Sequence, residues 1–153
     1  MAKTDMAKSG TVHLIKLAVG VEDVAHLVRI QEMRRAAARQ EGRPPIARHV
    51  TRSRPKRADD VLAGGCMFWV IRGLLQARQR IVSLEEVVGE DGIPRCAIGL
   101  DDAVVRLVPR PCRPFQGWRY LDPAEAPPDL GERPAGDEMP PELLAELRDL
   151  GLL

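Results

Sequence analysis

Six consecutive residues, Cys66-Met67-Phe68-Trp69-Val70-Ile71, carry no charge and are almost wholly apolar. A segment of that kind has to be covered on both faces, so it predicts a central strand over residues 66–72. Gly73 breaks it, and residues 74–88 then alternate well enough to predict one long, bent strand running back. That pair commits the chain to a sheet, and the flanking segments extend it. Residues 94–100 are expected to return antiparallel after the turn Gly89-Glu90-Asp91-Gly92. Asp101-Asp102 reads as a further turn before a strand over 103–108, and residues 115–121 close the set. Upstream, residues 11–19 and 46–52 read as two more strands.

Helices are fewer. Glu22 and Asp23 open one that reaches about residue 40, with Val24, Leu27 and Val28 at i, i+3, i+4 spacing and arginines late in it. Pro44-Pro45 ends that pattern. Pro55 suits the first turn of a short helix through residue 62, stopped by Gly64-Gly65. Several strands with short turns and short helical insertions predict an α+β fold, a small, mostly antiparallel, barrel-like sheet with flanking helices. Residues 1–10 are expected to be a flexible lead, 11–121 the barrel domain, and 122–153 an acidic tail. Nine of the 13 prolines fall between positions 109 and 141, which predicts an irregular stretch. Within residues 140–150, Leu143, Leu144, Leu147 and Leu150 form one stripe of an amphipathic helix ending at Gly151. That helix would dock on the domain or on a second copy of the chain.

Aromatic residues make up 3% of the chain and all lie between positions 68 and 120, so aliphatic side chains must fill most of the core. The net charge of +1 conceals two blocks. Residues 29–119 carry 18 Lys and Arg against 10 Asp and Glu, whereas 121–153 carry 2 against 9. A basic body suits an anionic partner, and the acidic tail could fold back over it.

Rings interleaved with guanidinium and amide groups are the chemistry that holds bases and phosphates. The cluster Thr51-Arg52-Ser53-Arg54-Pro55-Lys56-Arg57 places four cations at a strand-to-helix junction, where Thr51, Arg52, Lys56, Arg57 and the amides opening the helix could surround a phosphate. Arg72 follows the apolar strand. Gln76, Arg78 and Arg80 share strand parity and would form a basic stripe. Gln116, Trp118, Arg119 and Tyr120 form a second ring-and-cation cluster, with Trp118 and Tyr120 available for stacking. Each group also has a plainer reading: a solvated basic loop, the wet side of an antiparallel sheet, or half-buried rims of the core. Trp69, among apolar neighbours, reads as core.

Other chemistry finds little support. His13, His26 and His49 are scattered without metal-ligand spacing, so no metal and no cofactor are expected. Ser9, Ser53 and Ser83 lack a nucleophile-elbow context, and no catalytic residue is assigned. Cys66, Cys96 and Cys112 form no CxxC pair, which suits a reducing, cytoplasmic compartment. No apolar stretch approaches the about 18 residues of a membrane span.

The segments His13-Leu14-Ile15-Lys16-Leu17, His49-Val50-Thr51-Arg52, Pro55-Lys56-Arg57, Trp69-Val70-Ile71-Arg72-Gly73, Ala77-Arg78-Gln79-Arg80 and Phe115-Gln116-Gly117-Trp118-Arg119-Tyr120-Leu121, taken in order, resemble a mainly alphaproteobacterial family described as domain of unknown function 1489. The resemblance covers residues 11–130 and leaves 131–153 outside. It brings no activity with it. The order of elements is also similar to PUA-like pseudobarrels such as the ASCH and EVE domains, which implies a five- or six-stranded barrel with a cleft for RNA or a modified base. The function expected is therefore an RNA- or nucleotide-binding module with a basic cleft. An enzyme acting on a nucleotide or small anion in that cleft is the second reading, and an adapter or homodimer joined through the tail helix is the third.

Overall fold

The apolar run 66–71 lies in the interior of the sheet, as its composition predicts. The computed structural model describes residues 10–130, so the tail helix expected over 140–150 lies outside the described residues. The elements are β1 (His13–Leu17), α1 (Val24–Gln40), β2 (Ala47–Thr51), α2 (Ala58–Leu62), β3 (Cys66–Ile71), β4 (Leu74–Val88), β5 (Pro94–Pro111), β6 (Trp118–Leu121) and a 3₁₀ turn at Pro123–Glu125. They form one six-stranded sheet in the order β2-β5-β4-β3-β1-β6. All six residues of β3 are buried.

The sheet is mixed rather than antiparallel. β1 pairs parallel with β3, Leu14 opposite Met67 and Leu17 opposite Val70. The α1-β2-α2 segment between them supplies the long crossover that a parallel pair requires. The other ladders are antiparallel. A second correction concerns Asp101-Asp102, which makes no turn: β5 runs unbroken through it. Its ladder with β4 shifts register between Leu75 and Ala77, between Gln79 and Ile81, and between Ile81 and Ser83, so bulges bend the long hairpin where a turn was expected. The β3–β4 connection is a two-residue turn at Arg72 (φ 51°) and Gly73 (φ 80°). Two successive positive φ values match the twist of the strands they join.

Helix α1 starts at Val24, one turn-capping residue after the expected acidic start. Asp23 is its N-cap, accepting from the His26 amide at 2.7 Å. Its buried stripe is Val24, Leu27, Gln31, Arg35 and Ala38. Helical spacing is kept, but two of the inward residues are polar. At the other helix, Gly65 is packed so tightly that a Cβ there would strike the carbonyl oxygens of Val12 and Val61.

Two apolar clusters occupy the two faces of the sheet. One gathers Leu14, Met67, Trp69, Ile71, Ala77, Ile81 and Ile98 with Val24 and Leu27 of α1. The other gathers Ile15, Phe68, Val70, Leu75, Leu107 and Leu121. The first face is concave. His49 on β2 meets Trp69 on β3 edge-on, 5.3 Å between centroids, although β5 and β4 lie between them in the sheet. Trp118 on the opposite edge strand donates from Nε1 to the Ser53 carbonyl, just past β2, at 3.0 Å. The sheet thus curls until the chain beyond one edge touches the other.

Gln79 joins the helix to this concave face. It is 0% exposed. Its Oε1 accepts from Gln31 Nε2 at 2.9 Å and from Trp69 Nε1 at 3.2 Å. Its Nε2 donates to Gln31 Oε1 and, at 2.6 Å, to the Asp101 carbonyl. The second face is closed by residues 122–130, which the sequence assigned to the tail. Val108 donates to the Pro128 carbonyl at 2.9 Å, Leu130 to the Arg106 carbonyl at 2.8 Å, and Asp129 bridges to Leu107. Arg78 grips the Asp129 carboxylate with two bonds of 2.8 Å. That segment belongs to the fold.

Two stability predictions follow from these contacts. Gln79→Ala strands the Gln31 amide and the Trp69 indole inside the core, and leaving buried polar groups unpaired costs about 1–3 kcal/mol each; urea unfolding should show a loss of at least about 2 kcal/mol. Arg78 holds the Asp129 carboxyl below its ordinary 3.8, through the hydrogen bonds first and the charge second. A depressed carboxylate pKa stabilises above the unfolded value and ceases to do so as pH falls through the folded one. Asp129→Asn should therefore destabilise at neutral pH, by no more than about 1 kcal/mol for so exposed a pair. The difference from wild type should vanish on acidification below the ordinary carboxylate range. Equal losses at neutral and acidic pH would contradict it.

Candidate functional site

The loop after β2 is fastened to β6 by the polar ends of two rings. Trp118 Nε1 reaches Ser53, and the Tyr120 hydroxyl accepts from the Arg57 amide at 3.0 Å. The rings meet edge to face, 5.0 Å between centroids. The Arg57 guanidinium lies 5.8 Å from the Tyr120 ring centre, donates to Asp60 at 2.9 Å and reaches the Gly10 carbonyl at 3.3 Å. Thr51 is buried, its hydroxyl on the Ser53 carbonyl at 3.0 Å. These groups build the loop. Helix α2 begins at Ala58 rather than at Pro55 and has five residues, and the Arg57 amide preceding it faces Tyr120. The Arg57 amide is therefore not available to a phosphate at the helix start.

The loop turns Arg52, Arg54 and Lys56 outward, all three exposed. Tyr120 keeps 38% of its surface exposed beside them. A fastened loop of cations thus lies against β6, which carries the ring.

The expected stripe of Gln76, Arg78 and Arg80 is dispersed. Gln76 sits at a register shift of the β4–β5 ladder, which takes it out of the alternation, whereas Arg78 and Arg80 keep regular register opposite Phe68 and Cys66 and share a face. Gln76 is buried and donates to the Ile71 carbonyl at 3.0 Å. Arg78 is taken by Asp129 and lies 3.6 Å from the Cys66 sulfur. Arg80 is exposed beside Cys66, whereas Arg72 is exposed at the hairpin tip. At 3.3–3.4 Å per residue, roughly 20 Å of strand separates them. Arg119 points away from Trp118 and stacks over Phe115 at 4.6 Å, and Gln116 is exposed in the preceding loop.

A second concavity was not legible from motifs. Between α1, the β1–α1 loop and β2 lies a pocket of about 110 Å³. Trp69, Leu27 and Leu100 line it together with Gln31, Arg34, Arg48 and His49. No carboxylate is among its lining residues. Arg48 is bridged to Glu85 at 3.1 Å. The His49 imidazole is lowered to about 4, by burial first and then by Lys16 and Arg34, so it is neutral at physiological pH. Its Nε2 is buried without a hydrogen-bond partner. Nothing in the spacing of Lys16, Arg34 and His49 marks them as neighbours, because three separate elements carry them.

Among the described residues, no three His, Cys, Asp or Glu side chains converge as a metal site. His13 accepts from the Cys66 amide through Nδ1 at 3.0 Å and is shifted down, chiefly by burial. Burial pushes the Cys96 thiol up, which makes it a poor nucleophile. No described helix is long and apolar enough to cross a membrane.

No curated protein and no solved structure matches this chain. A family described as "Protein of unknown function (DUF1489)" matches it over residues 14–153. The match runs past residue 130 to the end, so 131–153, which the motifs left outside the resemblance, lies within the family's extent. Spanning nearly the whole sequence, that match shows that the chain belongs to the DUF1489 family.

Proposed function

We propose that this protein binds single-stranded RNA through the loop carrying Arg52, Arg54 and Lys56, with the exposed edge of Tyr120 beside it. The observation that supports this reading is the docking of that loop on β6. Trp118 and Arg57 fix its backbone, so three exposed cations are held in place before any ligand arrives. Cations held in place lose less freedom on binding than cations on a loose chain. Arg57 and Arg78, named with them from the sequence, serve the fold in this reading, and Trp118 acts as a fastener rather than a stacking platform.

The reading of the curled sheet as a PUA-like pseudobarrel belongs with this proposal; the Trp118–Ser53 contact between the two edges supports it. So does a reducing, cytoplasmic setting, which the buried free thiols of Cys66 and Cys96 favour. Acid–base catalysis draws less support. The carboxyls of Asp91 and Asp129 are both lowered by arginine partners, the reverse of the raised carboxyl that a general acid needs.

A fluorescently labelled oligouridine titrated at several salt concentrations tests the proposal. Three phosphate contacts to a single strand give log K against log salt a slope near −2, at about −0.7 per contact. Arg52→Ala/Arg54→Ala/Lys56→Ala should bring that slope close to zero while leaving the melting temperature unchanged, since all three side chains are exposed. Arg78→Ala should do the opposite, lowering stability and leaving the slope in place. Salt-independent binding, or a slope unaffected by the triple substitution, would contradict the proposal.

A further inference from the structure

The pocket between α1 and β2 has features that the RNA proposal does not use. Its walls are apolar where Leu27, Trp69 and Leu100 face one another, and its charged lining is cationic only. Arg48 is already occupied by Glu85, whereas Arg34 is exposed at the rim with no ion pair among the described residues. The buried Nε2 of His49 lacks a partner. A buried polar atom in that condition calls for an explanation, and a group seated against His49 supplies one.

We infer that this pocket binds a small organic monocarboxylate, with its apolar body against Trp69 and Leu27 and its charge at Arg34. Size limits the body. An apolar cavity of about 150 Å³ takes up benzene, so about 110 Å³ admits a single ring or a short branched chain and no more. The walls decide against inorganic phosphate, which has nothing to fill the apolar part. The rim decides against a neutral body, because Arg34 lines it with no ion pair among the described residues and no carboxylate is in the lining. A guanidinium also suits the planar carboxylate, which it can hold with two parallel bonds. Gln31 lines the same pocket but is engaged with Gln79, so it is fixed in place rather than free to rearrange.

This site is separate from the loop at Arg52–Lys56, and the experiment keeps the two apart. Benzoate serves as the probe, titrated into the full chain and followed by NMR through the Trp69 indole N–H and the His49 ring protons. Saturable shifts of both, with Kd in the millimolar range or tighter, are expected. Arg34→Gln should weaken the probe by about tenfold or more, the loss that goes with removing a charge-assisted bond. Arg34 is exposed, so the variant should fold as the parent does. The triple loop variant should bind benzoate unchanged even if RNA binding is lost or was never present. Inorganic phosphate should leave the Trp69 signal unmoved. Three outcomes would overturn the inference: no saturable shift of Trp69 with benzoate, benzoate shifts indifferent to Arg34→Gln, or equal shifts from uridine, whose neutral base needs no cation at the rim.

Discussion

The side chain of Gln79 is the joint on which the rest of the molecule turns. A strand residue with no exposure has to satisfy both ends of its amide inside the protein, and it does so with groups from three other elements. The reciprocal pair with Gln31 fixes the rotation of α1. The bond to the Asp101 carbonyl anchors β5 beside its bulge, and the Trp69 indole is aligned by the same oxygen. Because the amides face one another in a low-dielectric interior, each bond is strong only while the others hold. Sliding α1 by one residue would bury unpaired amides on both sides. Apolar contacts alone permit several such registers; this network admits one. The pocket wall formed by Leu27, Gln31 and Arg34 inherits its position from it.

Curvature is the second constraint. Bulges in the β4–β5 ladder bend the long hairpin, and the bent sheet brings Ser53 to Trp118 and His49 to Trp69. Both candidate sites result from that bend. One is the loop held on the far edge strand, and the other is the hollow left where α1 covers the concave face. A flat sheet of the same strands would have neither. On the opposite face residues 122–130 cross the sheet, and the more open hollow they leave beside His13, Cys66 and Phe68 has its cation, Arg78, neutralised by Asp129.

Much of the fold was legible because it rests on local pattern. The apolar run at 66–71, the glycine turn after it and the alternation through 88 gave the β3–β4 pair at nearly its observed limits. The i, i+3, i+4 spacing placed α1. What stayed hidden depends on partners distant in sequence. The parallel pairing of β1 with β3 depends on a crossover, and two strands read singly look alike in either direction. Asp101-Asp102 has the residues of a turn, but a bulge accommodates them within a strand. Gln31 and Arg35 look like surface residues of an amphipathic helix, and only Gln79 and Asp102 across the interface make their burial tolerable.

The site was less legible for a related reason. Sequence proximity groups the aromatic and arginine residues as outward-facing chemistry, yet proximity does not distinguish a cation that meets solvent from one that closes a loop. The structure divides them by what stands opposite. Asp60 faces Arg57, Asp129 faces Arg78 and the Phe115 ring faces Arg119, so those three are internal fastenings. Among the described residues no acid is paired with Arg52, Arg54 or Lys56, nor with Arg34, which lies 86 positions from Tyr120, outside every motif, on a cationic rim. Partners are not encoded beside the residue they neutralise: Asp129 lies 51 positions from Arg78. Free positive charge among the described residues is therefore a property of the fold: residues 122–130 bring an acid to Arg78 on one face, and the curl of the other leaves Arg34 beside an apolar wall.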